Sequence, residues 1–126
     1  MIGIINFGLG NLGSIVNSYH KLNTEVKILD KPFEVEGVTH LILPGVGSYR
    51  VGMNNLKNLK WDLEIFKHVK KKKPLLGICL GMQLLFEKGE EDGINPGLGL
   101  IKGSVSKIKN TKQKIPVVGW KDIQVI

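Results

Sequence analysis

The chain has 126 residues, of which 42% are apolar and 23% charged, so it is long enough for one domain with a hydrophobic core. Its single cysteine excludes an internal disulfide and fits a reducing cytoplasm, and no apolar run approaches the ~20 residues that cross a membrane. The net charge is +7, but one arginine and no aromatics among the lysines argue against nucleic-acid binding.

The first third of the chain predicts two strands around one helix. Residues 2–7 are typical of a buried strand, and apolar residues recur at helical spacing over 12–22. Between them, residues 8–13 form a G-x-G-x-x-G sequence, and a second strand over 25–30 ends in Asp30. This combination favours a dinucleotide-binding turn. The other interpretation is a tight turn that passes close to the neighbouring strand ends.

A third strand is predicted over residues 39–43, after a polar connection over 32–37. It leads into Pro44-Gly45-Val46-Gly47. Two glycines around one residue at a strand end let the backbone turn its N–H groups towards a ligand.

Two helices follow, over residues 51–59 and 61–69, with Ser48 as the cap of the first. Lysines fill positions 70–73. Cations at that end complement the helix dipole, so we interpret this run as a solvated cap.

The segment 74–86 predicts a short buried strand, a sharp turn at Cys79, and a helix that ends near Gly89. Gly77 and Gly81 stand two residues on either side of the cysteine, a pattern that permits a strained turn exposing a nucleophile. The positive end of the helix would favour a thiolate. The alternative is that Cys79 is a small buried hydrophobe.

The last part of the chain is predicted to hold an acidic, turn-rich loop over residues 87–97 and short strands over 98–101 and 104–109 around Gly103. Strands and helices alternate along the chain. We therefore predict an α/β fold with a mainly parallel or mixed sheet and helices on both faces.

The sequence GICLGMQ around Cys79 closely resembles the nucleophile segment of class I glutamine amidotransferases. Further segments resemble one branch of that family, the glutaminase subunit of imidazole glycerol phosphate synthase. They are NFGLGNL, PGVG, GLGLIKG and KIPVVGW. Asn6, Val117, Val118 and Lys121 depart from that branch, which often has an acid at the first position. The resemblance implies a flavodoxin-like architecture.

The resemblance also implies a chemistry for Cys79. In the family, the cysteine hydrolyses glutamine to glutamate and ammonia through a glutamyl thioester. The backbone amides of Val46, Gly47 and Leu80 would then form the oxyanion hole. No metal-ligand cluster is visible in the sequence, and no cofactor is implied.

Substrate and partner contacts are implied in the same way. Gly45 and Gln83 would contact glutamine, while Trp120 and Asn11 would face a cyclase subunit that receives the ammonia and makes imidazole glycerol phosphate. A tryptophan packed in the core is the alternative for Trp120. Neither nucleic acid nor a membrane is expected as a partner.

The family also uses a histidine and a glutamate, two residues apart, far downstream of the cysteine. The histidines here are His20, His40 and His68, and none follows Cys79. We therefore expect residues 1–126 to be the N-terminal part of a single amidotransferase domain, without useful glutaminase activity by themselves.

Three alternatives stay open at this point. The first is a paralogous amidotransferase that supplies ammonia for surface-polysaccharide sugar modification. The second is a non-catalytic binding subunit, which the missing histidine fits. The third is the dinucleotide-binding domain suggested by residues 8–13.

Overall fold

The computed structural model describes residues 1–109, 112, 115, 116 and 118–125. The strands are β1 (Ile2–Ile5), β2 (Val26–Leu29), β3 (His40–Leu43), β4 (Leu75–Gly77), β5 (Phe86–Gly89), β6 (Asn95–Pro96) and β7 (Ile101–Val105). The helices are α1 (Leu12–Lys21), α2 (Tyr49–Asn58), α3 (Trp61–Lys70) and α4 (Leu80–Leu84).

The first four strands form one parallel sheet in the order β2-β1-β3-β4. Parallel neighbours need crossover connections, and the right-handed rule places α1 on one face of the sheet and α2 with α3 on the other. All four strands end at the same edge. The residues that follow β1, β3 and β4 therefore meet there. They include the glycine-rich turns over 8–13 and 44–47, and Cys79. The predicted α/β fold is confirmed.

The core lies between the parallel sheet and the two helices α2 and α3. Its largest fully buried side chains are Trp61 and Tyr49, each 1% exposed. Apolar residues from the strands pack into the same cluster, namely Ile5, Leu29, Leu41 and Leu43. By contrast, α1 contains no buried residue, and its apolar stripe is only half-buried. The sheet is therefore covered more completely by α2 and α3 on one face than by α1 on the other.

The helix caps follow the sequence closely. The Ser48 hydroxyl accepts a hydrogen bond from the Val51 N–H at 3.3 Å, which is the cap predicted for α2. At the other buried helix, α3 ends at Lys70 with Lys67, His68 and Lys70 in its last turn, as the lysine run predicts.

Residues 32–37, predicted as a plain polar connection, form a 3-10 helix (Pro32–Gly37) that packs against α3. Proline at the first position suits a helical turn because its missing N–H would have no partner there. Val35 is buried in this turn, which ties the connection to the core.

The helix after Cys79 was predicted to end near Gly89, and this is wrong, because α4 ends at Leu84. The carbonyls of Leu84 and Leu85 accept hydrogen bonds from Leu98 and Leu100, at 2.9 and 2.8 Å. These carbonyls are therefore engaged by a distant segment and cannot continue the helical ladder.

The expected acidic loop and two short strands are instead a second sheet in the order β6-β5-β7. The strand β5 pairs antiparallel with β6 and parallel with β7. One strand, β7, runs through Gly103, where two strands were expected. A register shift between Phe86 and Lys88 marks a bulge, and the positive φ of 113° at Gly103 accommodates it.

His68 is the one buried side chain among the described residues that can take up a charge near neutral pH, and we expect it to make stability depend on pH. Burial lowers the pKa of its imidazole below the ordinary 6.5, although a hydrogen bond at 3.0 Å to the Pro74 carbonyl acts in the opposite direction. Nearby Lys73, Lys71 and His40 lower this pKa further.

The unfolded chain then binds more protons than the folded chain between the two pKa values. Stability from this group is present above pH 6.5 and is lost as the pH falls towards the folded pKa. Urea unfolding at neutral and mildly acid pH should show a larger acid loss in the parent than in His68→Gln, which can still donate to Pro74. Equal losses in the two proteins would contradict this role.

Candidate functional site

Cys79 lies on the turn between β4 and α4, at the carboxyl edge of the parallel sheet. Its φ of 54° and ψ of −117° fall outside the regions that L residues favour, and its side chain is exposed. Such a conformation costs about 1–3 kcal/mol and persists only where surrounding contacts hold it. The Ile78 N–H supplies one of these contacts by donating to the Leu43 carbonyl at 2.9 Å.

Gly77 and Gly81 allow this turn to fold tightly. A Cβ on Gly77 would lie 2.5 Å from the Met82 Cα. A Cβ on Gly81 would overlap the carbonyl oxygens of Leu43 and Pro44. The pattern of two glycines around the cysteine therefore has the steric cause that the sequence suggests, because side chains at either position would push the turn off the sheet.

The turn after β3 lies directly against the cysteine turn. A Cβ on Gly45 would lie 2.9 Å from the Gly81 nitrogen and 2.9 Å from the Leu80 Cβ. Two residues further on, Gly47 has a φ of 108°, which turns the backbone in a way that glycine tolerates. The structure thus brings the two glycine-rich segments of the sequence together.

The two turns open into a cavity of about 570 Å³, a volume suited to a small metabolite. Of the site residues predicted from the sequence, Gly47, Cys79, Leu80 and Gln83 line this cavity. Gly45 and Val46 do not line it. Gly45 is buried, and the Val46 side chain is 53% exposed.

Glu90, Glu91 and Asp92, which follow β5, also line this cavity, and together they are named the acidic wall. The Glu91 carboxylate accepts a hydrogen bond from the Tyr49 N–H at 3.0 Å, which links this acid to the start of α2. These acids lie in the segment 87–97, which was predicted to be an acidic, turn-rich loop and to which no site role was given. The only signal in the sequence is a run of acids soon after the nucleophile segment.

The helix α4 is shorter than predicted, so its dipole stabilises negative charge at the Cys79 sulfur less than expected. The helix has five residues, and the Cys79 side chain makes no capping hydrogen bond. Fewer aligned peptide dipoles act on the sulfur than in the longer helix that the sequence predicted.

All three histidines of the chain lie in its described part, and none of them lines this cavity. His20 is exposed on α1, and His40 is exposed at the opposite, amino end of β3. His68 is buried against Pro74.

The G-x-G-x-x-G turn is held by contacts within the protein. The Asn6 amide donates to the Asp30 carboxylate at 2.8 Å, so the acid that would bind a ribose already has a partner. A Cβ on Gly10 would lie 3.2 Å from the Pro44 ring. This geometry favours the tight-turn interpretation over dinucleotide binding.

The two residues expected at a partner interface lie outside the cavity. Asn11 is exposed and caps α1, where its side chain accepts from the Ser14 N–H at 3.2 Å. Trp120 is fully exposed and is not packed in the core. Val118 is also exposed, whereas Val117 lies outside the described residues.

The part of the chain that the structure describes contains neither a candidate metal-ion cluster nor a helix that could cross a membrane. No group of three or more His, Cys, Asp or Glu side chains there is arranged to hold a metal ion. No helix in that part of the chain has the length and apolar character to cross a membrane.

The sequence matches the family model "Glutamine amidotransferase class-I" over residues 3–122. It is 48% identical over 120 residues to "Imidazole glycerol phosphate synthase subunit HisH" of Prochlorococcus marinus (strain MIT 9211), covering 94% of this chain and 56% of that protein. It is 43% identical over 125 residues to the protein of the same description in Bacillus subtilis (strain 168), covering 95% and 59%.

The fold is also similar to a known structure, described as "Crystal structure of glutamine amidotransferase". The TM-score is 0.72 at 24% identity, over 83% of this chain and 55% of that one. This likeness concerns the fold alone. The chain spans less than two thirds of the length of the curated relatives that it matches.

Proposed function

Since this chain belongs to the class I glutamine amidotransferase family, we propose that it supplies the nucleophile for hydrolysis of glutamine to glutamate and ammonia. The observation that carries this proposal is the position of Cys79. An exposed thiol stands on a strained turn, at a cavity that Gly47 and Gln83 also line. Strained residues at a cavity are characteristic of catalytic sites.

In the proposed reaction the Cys79 thiolate attacks the carboxamide carbon of glutamine. A C–S bond forms and the carbonyl electron pair moves to oxygen. The backbone amides of Val46, Gly47 and Leu80 would donate to that oxyanion, and such a donor contributes about 3 kcal/mol. Ammonia leaves as the carbonyl re-forms, and water then releases glutamate from the thioester.

Recognition of the substrate would use polar side chains that line the cavity. The acidic wall complements the α-ammonium group of glutamine, and Gln83 offers a side-chain amide on the helix that begins beside the nucleophile. We also propose a role for Gly45, which is indirect. Its lack of a side chain lets the turn of Val46 and Gly47 approach Leu80.

The departing ammonia needs a proton, and no described histidine lies at this cavity. We therefore expect the 126 residues alone to react at Cys79 but to show no useful turnover of glutamine. Multiple turnovers by this chain would contradict that expectation.

The proposal is tested with the chloroketone analogue of glutamine, in which chloromethyl replaces the amide nitrogen. The thiolate displaces chloride, so the adduct is stable and is located by mass spectrometry. We expect one adduct, at Cys79, whose formation slows when glutamine is added but not when asparagine is added. Cys79→Ser is the matched control and should remain unlabelled. Labelling that glutamine does not slow would refute the proposal.

We further propose that the ammonia passes to a cyclase subunit that makes imidazole glycerol phosphate in histidine biosynthesis. Support comes from relatives at 42–48% identity that carry the description of a synthase subunit. The unit would be a heterodimer in the reducing cytoplasm, where the Cys79 thiol stays free. The same descriptions favour this acceptor over a sugar-modifying partner.

Trp120 and Asn11 are proposed to contact that partner. A fully exposed tryptophan is a typical interface anchor, and its truncation commonly costs at least about 2 kcal/mol of binding. Trp120→Ala should therefore weaken binding to the cyclase subunit roughly 30-fold in calorimetry. Val118→Ala, at a neighbouring exposed position, is the matched control, and equal affinities for parent and Trp120→Ala would exclude this contact.

A further inference from the structure

Tyr49 joins the turn after β3 to the acidic wall of the cavity. It begins α2 directly after Ser48, and its side chain is 1% exposed. Its backbone N–H, one of the free donors of the first helical turn, donates to the Glu91 carboxylate at 3.0 Å. The two residues are 42 positions apart in the chain, so this bond links a distant acid to a residue that follows Gly47 by two positions.

The ring of Tyr49 sets the position of the segment that carries this acid. A Cβ on Gly89 would lie 2.6 Å from two ring carbons of Tyr49, and a Cβ on Gly97 would overlap its hydroxyl. Gly89 ends β5 and Gly97 follows β6, so the ring supports both sides of the connection that contains Glu91. Both ends of that connection therefore pack closely against the Tyr49 side chain.

The Tyr49 hydroxyl itself is buried and has no hydrogen-bond partner among the described residues. Burial raises its pKa, so the group stays a neutral phenol at physiological pH. An unpartnered buried hydroxyl costs free energy, and a phenylalanine would fill the same space without that cost. The packing of the ring, and not the hydroxyl, therefore has to explain what Tyr49 does.

We infer that Tyr49 is a positioning residue, which places the Glu91 carboxylate for the α-ammonium group of an amino-acid substrate in the Cys79 cavity. The inference rests on the proposed function. A rigid carboxylate at a fixed distance from the nucleophile selects substrates that carry an ammonium group at the matching distance from their reacting carbon. The Tyr49 ring maintains that distance by packing against Gly89, and the Tyr49 N–H maintains it by donating a hydrogen bond to the Glu91 carboxylate.

The test uses two alkylating reagents on the 126-residue chain. The glutamine chloroketone carries the α-ammonium group, and iodoacetamide does not. The ratio of the two rates at Cys79, here named the selectivity ratio, reports recognition of the ammonium group and cancels changes in the reactivity of the thiol. A purely structural role for Tyr49 would lower stability but leave the selectivity ratio unchanged.

We expect Glu91→Gln to lower the selectivity ratio about tenfold or more, since it removes the charge and keeps the shape. Glu90→Gln, in the same acidic wall, should lower it less than Glu91→Gln does, because among the described residues no backbone N–H donates to the Glu90 carboxylate. The matched control is Glu36→Gln, an exposed acid that does not line the cavity, which should change the ratio less than about threefold. Tyr49→Phe should keep the parental ratio. Tyr49→Leu should lower it to the level of Glu91→Gln, and the double variant should fall no further.

An unchanged ratio in a folded Tyr49→Leu variant would overturn the inference, as would a larger effect of Glu90→Gln than of Glu91→Gln. If Tyr49→Leu does not fold, Gly89→Ala displaces the same ring and serves in its place, with the same expected loss. If the parent itself shows no preference for the chloroketone and no protection by glutamine, the proposed function fails, which is a distinct result.

Discussion

Replacement of Gly81 by alanine is expected to lower the free energy of unfolding by at least about 4 kcal/mol, at the upper end of single substitutions. The added Cβ would overlap the carbonyl oxygens of Leu43 and Pro44. Both are backbone atoms at the end of a central strand, so neither can move aside alone. The cysteine turn would have to leave the sheet, and labelling of Cys79 by the glutamine chloroketone should be lost as well.

Gly13→Ala is the matched control for this prediction. Gly13 also lies within a helix, but a Cβ there would have no heavy atom within 4 Å. Alanine is the better helix former by about 1 kcal/mol, so this variant should be as stable as the parent or slightly more so. Urea unfolding of the two variants measures the difference. A gap below about 2 kcal/mol would show that the cysteine turn relaxes easily.

Replacement of Trp61 by alanine is expected to cost about 3–5 kcal/mol, because it empties the largest fully buried side chain of the core. The chain contains one other tryptophan, Trp120, which is fully exposed. Trp120→Ala should change stability by less than about 0.5 kcal/mol. The two variants are therefore the same substitution in opposite environments.

Denaturant unfolding followed by circular dichroism measures both free energies without relying on tryptophan fluorescence. Fluorescence then gives an independent reading. The Trp120→Ala variant should emit at short wavelength from Trp61 alone, and the Trp61→Ala variant should emit as a solvated indole. A cost above about 2 kcal/mol for Trp120→Ala would mean that Trp120 packs against the fold.

The parallel sheet and its helices could be predicted because each element has a local cause. The helices over 12–21 and 61–70 show apolar residues at helical spacing, and the strands β1 and β3 are short apolar runs bounded by turn residues. Ser48 and the lysine run marked helix ends in the positions where the structure has them.

The second sheet could not be predicted because its causes are not local. The sequence of β5, Phe-Glu-Lys-Gly, shows no alternation, and it becomes a strand only because Ile101–Val105 lies beside it. The same segment takes the carbonyls that would have extended α4. Gly103 was expected to separate two strands, but a bulge allows one strand to pass through it.

Some residues of the candidate site could likewise be predicted from the sequence, and others could not. Cys79 and Gly47 stand in short motifs with a clear chemistry, and the structure brings them to one cavity. Glu91 and Tyr49 stand in no motif. Their importance comes from a hydrogen bond between residues 42 positions apart and from a ring packed under two glycines, and neither contact has a pattern along the chain.

The contact between Gly45 and Gly81 restricts how this protein can diverge. A Cβ at Gly45 would meet the Gly81 nitrogen and the Leu80 Cβ, and a Cβ at Gly81 would overlap two backbone carbonyl oxygens, so a side chain at either position would need a rearrangement of the neighbouring segment. We therefore expect that a single substitution at either glycine is not tolerated. Variation can accumulate instead at Val46 and Met82, whose side chains are 53% and 42% exposed. New substrate or partner preferences would arise at such outward positions, while the geometry around the sulfur stays the same.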